Sequence, residues 1–288
     1  MPRNRYPSKE NQIKNHDCAS PFFNNGFCRG LTTRHGFMFV NSNDLIGQFL
    51  EKFGEWAYSE IDLLTPLIQP GQVVLDIGAN IGTHTLSFSR LVEPGGFVFS
   101  FEPQRISFEL LCANIVANNL TNVFPMHAGV SDQPGKIYVP VVDPTKKVNA
   151  AAFSIQGYTS GDPVNIVTVD SLGLGRCNLI KVDVEGMEYP VLLGARQTIQ
   201  AHRPILLVEN NYKEHSEKII TLLKEMRYSL WWSFSPYSDP DFTPDFNLFC
   251  LPEDKSLPVS VMEPVLNEKD TGAAAYTRVT GIILEQSA

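Results

Sequence analysis

Two groups of residues in this sequence have the types and spacing to do chemistry. The first lies in VVLDIGANIGTHTLSF (73–88), where an apolar run meets Asp76 and is followed by Gly78, Asn80 and Gly82 before a helical pattern begins. Glycines at such a bend let the chain turn tightly and let a flat ligand approach the backbone. Glu102 closes the next apolar run, FVFSFE, 20 residues after Gly82. An acid there can accept hydrogen bonds from both hydroxyls of a ribose. The second group joins LIKVDVEGMEY (179–189) to LLVENN (206–211) and contains Lys181, Asp183, Glu185, Glu188, Glu209 and Asn210. Strand alternation puts 181, 183 and 185 on one side.

The composition of the turn selects among ribose ligands. The dinucleotide spelling G-x-G-x-x-G is absent, and Asp76 would face a pyrophosphate with the wrong sign. No GKS or GKT follows, which excludes a P-loop. A cationic ligand suits Asp76 better. S-adenosylmethionine has a sulfonium and an ammonium for that acid and a ribose for Glu102. The turn therefore favours methyl transfer over hydride transfer. The competing readings are an NAD-dependent oxidoreductase and a non-catalytic S-adenosylmethionine-binding or protein-interaction module.

The second group brings acids together, and converging carboxylates are unfavourable without a cation or proton between them. One solution is a divalent metal, Mg2+ by its preference for oxygen, held by Asp183 and Glu209 with Asn210 as a neutral ligand. Another makes Asp183 or Glu185 a general base or hydrogen-bond acceptor for substrate, with Lys181 as counter-ion. A third has Glu185 capping the helix that starts near 188. His84, just inside the helix after the glycine turn, is a further candidate base, although its ring could simply pack there. His127 reads as a satisfied core residue.

These residues need a scaffold, and the rest of the sequence predicts one. Strands are expected at 72–77, 96–102, 122–130, 178–184 and 203–210, with helices at 82–92, 105–119, 188–200 and 216–226. Near-continuously apolar strands alternating with helices imply a mainly parallel sheet covered on both faces, a three-layer α/β sandwich. YSLWWSF (228–234) and FNLFCLP (246–252) read as an antiparallel hairpin at its edge. Before the alternation come an irregular arm (1–35), a short strand (36–40), a helix and turn (44–56) and a helix over 58–68 capped by Ser59. The expected organisation is an N-terminal arm and accessory segment (1–53), a cofactor-binding catalytic domain (54–252) and a C-terminal extension (253–288). Trp231, Trp232, Phe234, Tyr237, Phe242 and Phe246 form an aromatic stretch suited to an acceptor pocket or a homodimer contact, with alternation allowing one of the two tryptophans into the core.

The chain has 288 residues, 43% of them apolar, and a net charge of -8 without a long basic tract, so a nucleic-acid partner is not expected. Five cysteines without a CxxC pair fit a reducing compartment and a cytoplasmic location. No run approaches 18 apolar residues and the N-terminus has no apolar signal core, so neither membrane spanning nor secretion is expected.

Over roughly residues 54–252 the chain resembles the FkbM-type family of class I S-adenosylmethionine-dependent methyltransferases. The resemblance rests on GEW (54–56) and the helix bearing Glu60, on VVLDIGANIGTHTLSFSRLV, and on FSFEPQRISFELLCANIVANNLTNV. It continues through AGVSD (128–132), TVDSL (168–172), LIKVDVEGMEYPVLLGA (179–195) and RPILLVEN (203–210). It implies a Rossmann-like sheet of seven strands and O-methylation of a hydroxyl on a small molecule or sugar. It also implies that Asp76, Gly78, Asn80 and Gly82 form the methionine-side cofactor loop, that Glu102 is the ribose acid, and that Ser131 and Asp132 form the adenine edge. The acids after the fourth and fifth strands are similar to the metal set of catechol-type O-methyltransferases, with a glutamate at 209 as a departure.

Overall fold

The computed structural model describes residues 26–147, 149, 157–235, 245–255 and 263–280. Tyr237 and Phe242 of the aromatic stretch lie outside them. The described chain opens on an antiparallel hairpin, β1 (Cys28–Thr33) and β2 (Gly36–Asn41). The pattern predicts an irregular arm up to residue 35. Instead β1 is ordered by its pairing with β2, a partner that local polarity does not reveal. α1 (Leu45–Phe53) follows, capped by the Asp44 side chain, which accepts from the Ile46 N–H. α2 (Tyr58–Leu64) starts after Ala57, a left-handed residue with no side-chain cap, so Ser59 is not its cap.

The alternation then runs β3 (Val73–Ile77), α3 (Thr83–Val92), β4 (Phe97–Phe101), α4 (Arg105–Ala117) and β5 (Val123–Met126). The expected strand 122–130 breaks at His127. Its second half, β6 (Ala128–Val130), leaves for a separate three-stranded sheet with β7 (Gly135–Val139) and β8 (Asp162–Val167). β9 (Leu179–Val182) returns to the main sheet. The helix expected at 188–200 is two pieces, α5 (Glu188–Gly194) and α6 (Arg196–His202). The interruption follows Gly194, where a Cβ would lie 2.1 Å from the Ser131 carbonyl oxygen. β10 (Ile205–Glu209), α7 (Lys213–Glu225), β11 (Tyr228–Ser235), β12 (Asp245–Pro252), β13 (Glu263–Pro264) and α8 (Gly272–Thr280) complete the described chain.

The main sheet has eight strands in the order β5-β4-β3-β9-β10-β12-β11-β13, one more than expected. The addition is β13, which pairs antiparallel with β11 at the edge of the sheet. The five strands from β5 to β10 are parallel, and β12 enters antiparallel between β10 and β11. Strand order reverses between β3 and β9, and in such sheets ligands bind beyond the carboxyl ends at that point.

Each face of the sheet has its own core. Leu75, Ile180, Leu206 and Trp232 pack under α5, α6 and α7 on one side. Val74, Leu179, Leu207 and Phe249 pack with Met38, Leu50, Leu64 and Leu86 on the other, so residues before 54 share one core with the main sheet. Two covered faces also correct the expectation for the tryptophans. Trp232 fills one core and Trp231 packs against the other.

Candidate active site

β3 delivers the chain to a turn that only glycine can make. Gly78 has φ +84, and a Cβ on it would stand 1.7 Å from the Asp183 carbonyl oxygen. The amides of Gly78 and Ala79 both donate to the Phe101 carbonyl, at 3.0 and 2.9 Å, which fastens the turn to the end of β4. Asn80 is left-handed as well (φ 48), and its side-chain carbonyl accepts from the Ile81 amide at 2.8 Å. Gly82 starts α3 with φ +98, where a Cβ would meet Leu111 Cδ1 at 2.8 Å.

Two acids face this turn. Asp76 is fully buried. Its Oδ2 accepts from Thr85 Oγ1 at 2.6 Å, while Oδ1 has no hydrogen-bond partner among the described residues and stands 3.7 Å from Lys181 Nζ. Glu102 accepts the Asn80 amide at Oε2 and the Gln104 amide at Oε1, both at 2.8 Å. Burial pushes its carboxyl up to about 7, outweighing the two amides and the charge of Lys181. Each carboxylate oxygen has a second lone pair, so two hydroxyl donors can still be accommodated.

The second group gathers at the ends of β9 and β10. Lys181 is buried, and its Nζ donates to the Gly78 carbonyl at 3.2 Å and to Asp183 Oδ2 at 3.0 Å. Burial alone would lower its pKa, but Asp183, Asp76 and Glu60 reverse this and keep it charged. Strand alternation carries Asp183 to this side. It does not carry Glu185, because β9 ends at Val182 and Glu185 lies in a left-handed turn (φ 52). That turn nevertheless brings a Glu185 oxygen to the others. Ligand atoms of Asp183, Glu185 and Glu209 lie within 4.8 Å of one another.

Glu209 is almost fully buried. Its Oε1 accepts from Asn211 Nδ2 at 2.7 Å, and Oε2 has no hydrogen-bond partner among the described residues. Burial first, then Asp183 and Glu185, push its carboxyl well above the usual range. The same two causes, burial and Asp183, raise Glu185 to about 7 against the hydrogen bond it accepts from the Tyr212 hydroxyl at 2.7 Å.

Other candidates fall elsewhere. Asn210 follows β10 and turns to the α7 side, where its Nδ2 donates to Ser216 Oγ at 2.9 Å, so it does not join the acids as the sequence suggested. Its Oδ1 has no hydrogen-bond partner among the described residues. Glu185 does not cap α5, which starts without a side-chain cap; Glu188 instead folds back on the preceding turn, its Oε1 accepting the amides of Val184 and Gly186 at 3.2 and 3.1 Å. Ser131 and Asp132 lie beyond β6. Their side chains bond each other at 3.0 Å, and the Ser131 amide donates to the Val167 carbonyl. His127, between β5 and β6, stacks on Phe108 with ring centroids 4.9 Å apart. His84 is buried, with Nε2 3.0 Å from Glu60 Oε2, close enough for an ion pair though off the line of a straight hydrogen bond.

Sequence reasoning missed Thr85, Tyr212 and Asn247. Tyr212 had a local signal, since it completes the run ENNY (209–212). Thr85 lies one helical turn beyond the glycines, and Asn247 is visible only through its strand register with Glu209.

Comparison with known proteins gives the family of this chain. The family described as the methyltransferase FkbM domain matches residues 76–230. The hexuronic acid methyltransferase AglP of Haloferax volcanii is 31% identical over 173 residues, which cover 59% of this chain and 68% of that protein. The 31-O-demethyl-FK506 methyltransferase FkbM of Streptomyces tacrolimicus is 43% identical over 68 residues, or 24% of this chain and 25% of that protein. Among solved structures, methyltransferase FkbM from Methylobacillus flagellatus KT aligns with 20% identity and a TM-score of 0.47, over 68% of this chain and 48% of that one. The chain belongs to the FkbM methyltransferase family and is an S-adenosylmethionine-dependent methyltransferase.

Proposed function

We propose that the protein transfers the methyl group of S-adenosylmethionine to a hydroxyl of a sugar or other small molecule, and that Asp183, Glu185 and Glu209 hold a magnesium ion beside that hydroxyl. The observation that carries the reading is the convergence of three carboxylates within 4.8 Å around a buried, unpartnered Glu209 oxygen. Their nearest cation, Lys181, is already shared with Asp76 and the Gly78 carbonyl. Two further observations support the acceptor class: one relative is named for a hexuronic acid and another for a 31-O-demethyl compound.

On the donor side, the free Asp76 oxygen offers a charge partner to the cationic methionine end, and the glycine-cut cradle of Gly78, Asn80 and Gly82 accommodates it. Glu102 accepts the ribose hydroxyls. On the acceptor side, Lys181 holds Asp183 and the cofactor turn in fixed relation, and Tyr212 orients Glu185. A bound divalent ion would lower the pKa of the acceptor hydroxyl and fix its direction. Transfer is then an in-line displacement whose rate depends largely on alignment. The cysteines support the cytoplasmic reading, since Cys28, Cys112, Cys177 and Cys250 are all free thiols.

A second reading has one supporting observation. With its carboxyl near 7, Glu185 can share a proton with its neighbours in place of a metal. Incubation with labelled S-adenosylmethionine, glucuronic acid and a panel of neutral sugars, with and without chelator, separates the two. Methylated product that disappears with chelator and returns with magnesium supports the metal reading. Product formation indifferent to chelator favours the proton-sharing one, and no product from any hydroxyl compound rejects the acceptor class.

A further inference from the structure

Transfer to a hydroxyl, the reading on which this step rests, releases a proton that must reach a base. We propose that His84 takes this proton at Nδ1, and that Glu60, anchored by Asn247, is the positioning residue that holds the imidazole for it.

His84 is the second residue of α3, directly after the glycine turn, and its neighbour Thr85 is bonded to Asp76. Its Nε2 stands 3.0 Å from Glu60 Oε2, both side chains being more than nine-tenths buried. Glu60 Oε1 accepts from Asn247 Nδ2 at 3.3 Å. Asn247 is the cross-strand partner of Glu209 in the antiparallel β10–β12 pair. Directly opposed residues face the same side of a sheet, so the chain His84–Glu60–Asn247 runs from the cofactor turn to the acid cluster. With Nε2 directed at Glu60, Nδ1 is the ring atom left to accept, and it makes no hydrogen bond among the described residues. Asp183 is less available, since Lys181 occupies its Oδ2.

The surrounding charges agree with this. Glu60 faces the imidazole from α2. Lys181, from β9, is close enough to feel Glu60 and lies against Asp76 from β3. His35, from the β1–β2 turn, is pushed down to about 3 by burial and by the charges of His84, Arg34 and Arg90, so it stays neutral. Its Nε2 accepts the Trp56 amide at 3.1 Å, which leaves Nδ1–H to donate to Ser87 Oγ at 3.2 Å. A cation formed on His84 therefore meets no second charged imidazole, and Glu60 balances it. In the transfer, the acceptor oxygen's lone pair forms the new C–O bond and the C–S bond breaks onto sulfur. The O–H proton passes to His84, and Glu60 remains a carboxylate 3.0 Å from the imidazolium that it balances.

The test uses the full chain, with His84→Gln and Glu60→Gln. S-adenosylhomocysteine affinity is measured first, then the imidazole C2–H signals are titrated by NMR in the S-adenosylhomocysteine complex, and kcat is followed against pH with glucuronic acid as probe acceptor. In support, both variants bind S-adenosylhomocysteine within threefold of wild type. One signal vanishes in His84→Gln, and in Glu60→Gln it titrates at lower pH. In the wild type the rate falls on the acid side with the midpoint of that signal, and in Glu60→Gln this acid limb moves with it. His84→Gln loses the limb and at least about a hundredfold in kcat, the range of general base catalysis. An acid limb unmoved in both variants overturns the proposal, as does a His84 signal indifferent to Glu60→Gln. If either variant fails to fold, Asn247→Ala replaces it. A kcat lowered at least threefold with unchanged KM for S-adenosylmethionine supports the relay, and wild-type kcat overturns it. Should wild type not methylate glucuronic acid, the acceptor reading fails, while the NMR titration still decides the pair.

Discussion

Lys181 Nζ donates to the Gly78 carbonyl at 3.2 Å, reaching from β9 to the turn after β3. The bond crosses the reversal in strand order and ties the acids at the ends of β9 and β10 to the glycine turn. Removing this amine leaves Asp76 buried without its cation, a loss worth about 3–5 kcal/mol in buried pairs. Lys181→Met is therefore expected to lower stability by about that amount, read from the urea midpoint. It should also abolish S-adenosylhomocysteine binding in calorimetry. A variant as stable as wild type would show that the Lys181–Asp76 pair contributes nothing to stability.

Glu102→Gln should weaken S-adenosylhomocysteine binding about tenfold to a hundredfold, the equivalent of hydrogen bonds to a charged group worth about 1.5–3 kcal/mol. The same acid predicts a pH dependence. Folding raises its carboxyl to about 7, so it binds a proton that free carboxylates release near 4.5. With Glu102 accepting the ribose hydroxyls as proposed, ligand binding releases that proton and is expected to tighten as pH rises from 6 to 8. Calorimetry at the two values, in buffers of different ionisation enthalpy, checks both sign and proton release.

Magnesium is expected to stabilise the protein more at pH 8 than at pH 5. Glu185 is raised to about 7 and Glu209 further, burial being the first cause in each. Sites with raised folded pKa contribute stability that is present below their unfolded value and lost as pH rises through the folded one. The metal-free protein should thus lose stability between about pH 4.5 and 7 as the cluster ionises, and a divalent cation should restore it. Thermal melting with and without magnesium chloride measures this. Asp183→Asn and Glu209→Gln should erase the magnesium effect.

Gly78→Ala should lose S-adenosylhomocysteine binding and melt lower, because its Cβ would sit 1.7 Å from a backbone carbonyl at a φ of +84. Gly135→Ala, with nothing within 4 Å of the added atom, is the matched control and should behave as wild type.

The sequence alone determined the parallel core of the sheet, the glycine turn and the placing of Glu102, because these depend on local pattern: apolar runs, turn residues and one spacing. Asp76, Lys181 and Asp183 were legible for the same reason, since alternation within a short strand decides which side they face. Tertiary structure decided what local pattern cannot encode. Residues 28–33 became a strand by meeting β2, and Glu263–Pro264 by meeting β11. Asn210 left the acid cluster for Ser216, and Glu185 entered it through a left-handed turn beyond the end of its strand. Glu60 and His84, and then Asn247 at position 247, came together across α2, α3 and β12. The physical reason is that charge pairing and register depend on distances between segments far apart in the chain, and side-chain period fixes direction only while a strand lasts.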